Sequence, residues 1–305
     1  MANSSIQEQH QLHFLLIPLM SQSHIIPLTD FAKLLALRGQ NVTIITTPLN
    51  AIRYKPIIDR AKNLNLKIQL ASLEFPNRQA GLPECCENMD SLASLDLGHD
   101  FLKANEMLKE PLEKLMQQLV PRPSCIVSTN ALVHESVNSD TESFVVPDMP
   151  KKIEFKRSQL PEWLREKSDD KKHIMNMMKD TEHLARGVLV NSCEEMEPVY
   201  FEEYKKLRGR VWGIGPTILC NKENSDKVGV RIQLMSEKLV KSERVKDAVK
   251  DAINELIDGE EAAERRERAR GLGELVQKAV EEGGSSHTNI TMFIQDVMHA
   301  TTSPS

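Results

Sequence analysis

Between Leu12 and Gly39 the chain passes from consecutive apolar residues to apolar residues at helical spacing, which restricts it to a strand followed by a helix. Leu12-His13-Phe14-Leu15-Leu16-Ile17 is short, apolar and closed by Pro18, the mark of a buried strand. The polar turn Ser21-Gln22-Ser23-His24 and Ile25-Ile26-Pro27 come next. A helix then carries Leu28, Phe31, Ala32, Leu34, Leu35 and Leu37 on its apolar positions, with Gly39 placed to stop it. Ligands of parallel α/β sheets sit beyond the carboxyl ends of the strands, and His24 is expected in such a loop.

The same alternation recurs. A strand is expected over Val42–Thr46, a helix over about 50–64 and a weaker strand over Leu66–Leu70. The segment 71–94, with Pro76, Gly81 and Pro83, reads as loop. Residues 101–119 have helical spacing, and Pro111 should bend or restart that helix. Cys125–Val127, Gly187–Val190 and Arg210–Ile214 read as further strands, so the chain is α/β with a doubly wound parallel sheet. The polar run Asn221–Lys227 divides an N-terminal domain, 10–220, from a mostly helical part, 228–305. In the latter, helices are expected from Ser242 to Ile257, over 260–282 and from Thr288 to Met298, with Gly283-Gly284-Ser285-Ser286 as the last break. Leu272, Leu275, Val276, Ala279 and Val280 should form the buried stripe of the middle helix.

Bulk chemistry narrows the function classes. A net charge of −5 gives no reason to expect nucleic acid or a membrane surface, and 4% aromatics argues against base-stacking platforms. Cys85, Cys86, Cys125, Cys193 and Cys220 form neither a disulfide framework nor a zinc motif, which favours a reducing compartment. The N-terminal residues lack a basic n-region, and Leu12–Met20 is too short to span a bilayer, so a soluble cytoplasmic protein is expected. His10 and His13 are three apart, but His13 falls in a strand, and His173 and His183 lack acidic companions at ligand spacing, so no metal site is expected. The adjacent Cys85 and Cys86 read as ordinary loop thiols, and Glu264–Arg268 as a solvated helix face.

Five further stretches stand out: Pro18-x5-His24-x2-Pro27, Gly81-Leu82-Pro83, Asn191-Ser192-Cys193-Glu194-Glu195-Met196-Glu197, Trp212-Gly213-Ile214-Gly215-Pro216 and the tail Gly271–Asp296 with Glu281-Glu282-Gly283-Gly284-Ser285-Ser286-His287. Together they resemble the motifs of plant UDP-glycosyltransferases. The resemblance implies a GT-B fold, two Rossmann-like domains facing a cleft. It implies inverting transfer of a hexose, glucose above all, from a UDP-sugar to a hydroxyl of a small lipophilic plant metabolite such as a flavonoid, hormone or terpenoid. The UDP-sugar would be a co-substrate, with no resident cofactor. His24 falls at the family's general-base position, where an imidazole near neutral pKa can take the acceptor's proton.

The chain departs from the pattern in two places. The acidic partner of the base should follow Cys125-Ile126-Val127-Ser128, where Thr129 stands instead. Thr129 to Val137 then runs into Asn138 and Phe144-Val145-Val146-Pro147, which resembles sequence from farther downstream. The donor box, with its Trp-Ala-Pro-Gln and His-Cys-Gly-Trp-Asn-Ser runs, does not occur, and Lys227 leads directly to Val228-Gly229-Val230-Arg231. The expectation is therefore a Rossmann-like sheet lacking one βα unit plus a helical remnant of the donor domain. Its last helix should return to the N-terminal domain, while other apolar helix faces lose their cover. Transfer activity should be lost or much reduced. The alternative is a non-catalytic remnant that binds a small molecule or a full-length relative.

Overall fold

A computed structural model describes residues 11–94, 97–129, 143–145, 152, 154–156, 184–221 and 261–302. The helix expected over 242–257, both junctions, and His10, Trp163, His173 and His183 lie outside the described residues.

Four parallel strands form the central sheet: β1 (His13–Ile17), β2 (Asn41–Thr46), β3 (Ile68–Ser72) and β4 (Cys125–Ser128). Their order is β3-β2-β1-β4, with Phe14 opposite both Val42 and Cys125. The chain thus steps outward from β1 to β3 and returns to the far side of β1. The crevice between the carboxyl ends of β1 and β4 is the switch point where open α/β sheets bind ligands.

Helices cover both faces, as a doubly wound sheet requires. Phe14, Leu16, Val42, Ile44 and Ile68 point to one face, under α1 (Gln22–Leu37) and α2 (Pro48–Asn63). Leu15 and Ile45 point to the other, under α3 (Gly98–Met107), α4 (Lys109–Gln118) and the loop carrying Phe75 and Leu82. The restart expected near Pro111 occurs at Leu108, which leaves Pro111 in the first turn of α4, where its missing N–H costs nothing.

Helix ends account for two boundaries. In α1, Gly39 (φ 78°) donates to Ala36 O and Gln40 to Leu35 O, a Schellman stop at the expected glycine. In α2 the same pair of bonds is made by Asn65 (φ 57°) to Lys62 O and Leu66 to Ala61 O. Leu66 is thereby consumed in closing the helix, which is why β3 begins at Ile68, two residues later than its apolar run suggests.

The strands expected over Gly187–Val190 and Arg210–Ile214 do not join the central sheet. After a short antiparallel pair, β5 (Ser143–Val145) with β6 (Glu154–Lys156), strands β7 (Val188–Val190) and β8 (Val211–Gly213) form their own two-stranded parallel sheet. Between them runs α5 (Pro198–Arg208). Among the described residues β4 has no strand on its outer edge, and Ile126 there is exposed. Two helices follow, α6 (Ala262–Val280) and α7 (Ser285–Thr302). α7 joins the first core: the Phe293 ring lies 5.7 Å from Phe14, 6.1 Å from Phe31 and 5.3 Å from Trp212. The expected stripe of α6 is buried only at Ala279; Leu272 and Leu275 are 46% and 44% exposed, because no described element covers that length of the helix.

Candidate functional site

The sequence places His24 in a loop; the structure places it in the first turn of α1, two residues after the helix begins. Pro27 suggests a later start, yet it sits inside the helix. The carbonyl it deprives of a donor is that of Ser23, which is exposed and free to bond water. The helix therefore starts directly above the switch point, and His24 stands at its N-terminal mouth.

The cap of this helix comes from far away. Ser21 occupies the N-cap position with extended backbone but makes no side-chain cap; its hydroxyl meets that of Ser23 at 3.0 Å. The first helical N–H, that of Gln22, donates instead to Asp90 Oδ2 at 2.9 Å. A carboxylate here satisfies an orphan donor and complements the positive helix end. Asp90 is held by its own short turn, in which its N–H donates to Asn88 Oδ1 at 3.0 Å. Beneath it lie two buried amides: Asn88 Nδ2 donates to Asn50 Oδ1 at 2.9 Å, and Asn50 Nδ2 donates to Thr47 Oγ1 and Glu87 O, both at 2.8 Å. Asp90 is the site-forming residue that sequence reasoning missed. The only local signal is the Asn88-x-Asp90 turn, and its target is 68 residues away.

His24 is half-buried, and burial pushes its pKa below the ordinary imidazole value, so the neutral, proton-accepting form prevails at pH 7. Its ring has no hydrogen-bond partner among the described residues, which leaves both nitrogens available to a substrate. Thr129 is nearby in the fold but otherwise engaged. Its hydroxyl accepts from Leu19 N–H at 3.0 Å and its own N–H donates to Ile17 O at 3.3 Å, stitching the loop after β4 to the loop after β1. No hydrogen bond joins Thr129 to the His24 ring among the described residues.

His13 is a satisfied core residue. Pro121 O, 2.6 Å from Nδ1, can only accept, so Nδ1 carries the proton and Nε2 accepts from Thr43 Oγ1 at 2.7 Å. Among the described residues no three His, Cys, Asp or Glu side chains are grouped to hold a metal, and no helix is long and apolar enough to cross a membrane. All five cysteines are free.

The other quoted motifs meet one another rather than His24. Ser286 Oγ donates to Gly215 O at 2.7 Å, and Asn289 Nδ2 to Gly213 O and Glu194 Oε1, both at 3.1 Å. Ser285 Oγ donates to Glu195 Oε2 at 2.7 Å. A Cβ on Gly215 would run into Asn191 Oδ1, whose partner is the Thr217 N–H at 2.8 Å. These three motifs are a joint that seats α7, and Gly81-Leu82-Pro83 is a turn that buries Leu82.

No family model matches the chain. UDP-glycosyltransferase 73C3 of Arabidopsis thaliana is 39% identical over 265 residues, covering 74% of this chain and 53% of the relative. UDP-glycosyltransferase 73C12 of Barbarea vulgaris is 38% identical over 264 residues, with the same coverage. Among solved structures, Glycyrrhiza uralensis UGT73P12, complexed with glycyrrhetinic acid 3-O-monoglucuronide, superposes with a TM-score of 0.59 at 30% identity. That match covers 71% of this chain and 51% of the other. The chain spans about half the length of the curated relatives it matches. With the identity spread over three quarters of its residues and the shared α/β fold beneath it, the chain belongs to the plant UDP-glycosyltransferase family.

Proposed function

We propose that this protein is the acceptor-side half of a UDP-glycosyltransferase, retaining His24 as general base and unable to transfer sugar alone. The observation that supports it most is the position of His24: without a hydrogen-bond partner among the described residues, shifted by burial toward the neutral form and set at the switch point of the sheet. In the reaction of the family an acceptor O–H attacks the anomeric carbon, the bond from that carbon to the UDP oxygen breaks, and UDP leaves with the electron pair. His24 would take the hydroxyl proton, a contribution of roughly 10²–10⁴-fold where the rest of the site is in place. Thr129 cannot neutralise the resulting imidazolium, and a neutral residue in place of such a carboxylate costs about 10⁴ in a comparable triad. The internal loss of the donor box removes the groups that would grip the diphosphate. The proposed substrates are a UDP-hexose and a small lipophilic hydroxyl compound of plant metabolism, in keeping with the names of the relatives and with the glycyrrhetinic acid glucuronide held by UGT73P12, and the proposed setting is cytoplasmic.

A second reading, association with a full-length relative, draws on the exposed Leu272 and Leu275 of α6. Thermal melts with millimolar UDP-glucose test the first. A donor at about 100 times its Kd adds roughly 2.7 kcal/mol, several degrees in Tm. The expected result is an unmoved cooperative melt and no product with a flavonol acceptor. A shifted melt or glucosylated product from the chain alone overturns the proposal. Co-elution with a full-length relative supports the second reading, and separate elution removes it.

A further inference from the structure

Away from the His24 crevice, the C-terminal end of α1, the segment Ile214–Cys220 and the turn between α6 and α7 enclose a cavity of about 220 Å³. Its walls are apolar: Leu34, Ile214, Leu219, Val280 and Ile290 all line it. One cation shares them. The Arg38 guanidinium donates to Leu34 O at 3.0 Å and to His287 O at 3.3 Å, both uncharged carbonyls. Those bonds use two of its five donors, and among the described residues no carboxylate lies within ion-pair distance of it. Burial pushes its pKa down, the sign of a charge poorly compensated where it stands. The glycosyl-transfer reading uses neither this cavity nor Arg38.

We propose that this cavity is a binding site for a small molecule with an apolar, ring-sized body and a carboxylate head, the body among Leu34, Leu219 and Ile290 and the head on Arg38. The volume is below the roughly 300–1,000 Å³ of drug-sized pockets, which sets the one-ring limit. The planar guanidinium fork matches a carboxylate, and the start of α7 at Ser286 and His287 adds a favourable helix end on the same side. Binding here would brace the joint between α1 and α7, so the ligand would raise the thermal stability of the protein.

Benzoate and its neutral isostere benzamide are the probes, read by saturation-transfer NMR and by Tm on the full chain. Benzoate should bind at least tenfold more tightly than benzamide. Arg38→Gln should abolish that preference while leaving benzamide binding unchanged. Leu219→Trp, which fills the cavity and spares Arg38, should block both probes; circular dichroism and a cooperative melt establish that each variant is folded. Equal affinity for the two probes, an unchanged benzoate preference in Arg38→Gln, or no binding of either by the wild type overturns the proposal. None of these readouts involves UDP-glucose, so failure here and failure of the transferase reading are distinguishable.

Discussion

The two C-terminal helices, α6 with 19 residues and α7 with 18, are nearly equal in length and opposite in how they are held. α7 buries Ser286, Asn289, Ile290, Phe293, Ile294 and Val297; α6 buries only Ala262 and Ala279. The polar contacts divide in the same way. Among the described residues the ion pairs of α6 are made within the helix and its flanks: Arg268 to Glu264, Arg265 to Glu261, Arg270 to Glu267. Those of α7 reach distant chain: Arg38 to His287 O, Ser286 to Gly215 O, Arg186 and Arg210 to Asp296. An amphipathic pattern declares a face, and only a distant partner makes that face a core. Among the described residues, α6 shows what the pattern is worth with little such cover.

The difference can be broken most sharply at the aromatic cluster. Phe293→Ala should cost about 3–5 kcal/mol in urea unfolding, since the ring is shared by Phe14, Phe31 and Trp212. Leu275→Ala should stay within about 0.5 kcal/mol, as exposed positions do. Comparable losses from the two would mean that α6 is covered in solution, and the contrast would be wrong.

The cap of α1 carries the contrast to the site, because it too is a distant contact. Asp90→Ala should cost about 0.5–2 kcal/mol, with Asp90→Asn milder because an amide oxygen can still accept from Gln22 N–H. Urea unfolding of the two variants compares them directly, and a harmless Asp90→Ala would show that water caps the helix equally well.

A pH series separates two carboxylates of opposite sign. The hydrogen bond from Arg186, aided by the charges of Arg186 and Arg210, holds Asp296 below the ordinary carboxylate value against the effect of burial. A depressed pKa contributes stability above the unfolded value and loses it as pH falls through the folded one. Asp296→Asn should therefore be less stable than wild type at pH 7, with the gap closing in acid. Burial raises Asp30, against the lowering effects of Asn221 and Lys33, so its ionised form opposes folding once the pH exceeds its raised pKa. Asp30→Asn should be relatively more stable at pH 7 than in acid, and thermal melts from pH 3 to 8 would expose a reversed order. The smallest effect is expected on α6: removing its pair by Arg268→Ala should change stability by about 0.3–0.5 kcal/mol at most, and less in high salt.

Most of the first half was legible because its signals are local. Short apolar runs marked β1, β2 and β4, Gly39 marked the end of α1, and the charge run marked the exposed face of α6. The errors arose where a residue served a partner that spacing does not reveal. Leu66 closes α2 and is lost to β3, Pro27 sits within the helix it was expected to precede, and Leu272 and Leu275 have no cover among the described residues. At the site, His24 was visible as a residue, but its place in α1 depends on Asp90, and the engagement of Thr129 with Leu19 depends on two loops meeting. The motifs around Asn191, Gly215 and Ser286 stood out without showing that their work is to fasten one helix.

Seating α7 against Phe14 and Phe31 also sets a timetable. The first strand and its helix leave the ribosome early, while the ring that completes their core, Phe293, is joined to the growing chain more than a hundred and fifty residues after β4. At roughly 5–20 residues per second that interval is on the order of ten seconds or more, during which Phe14 and Phe31 lack that ring as a neighbour. The N-terminal core therefore gains its last aromatic ring only once the helix that carries it, α7, has been synthesised.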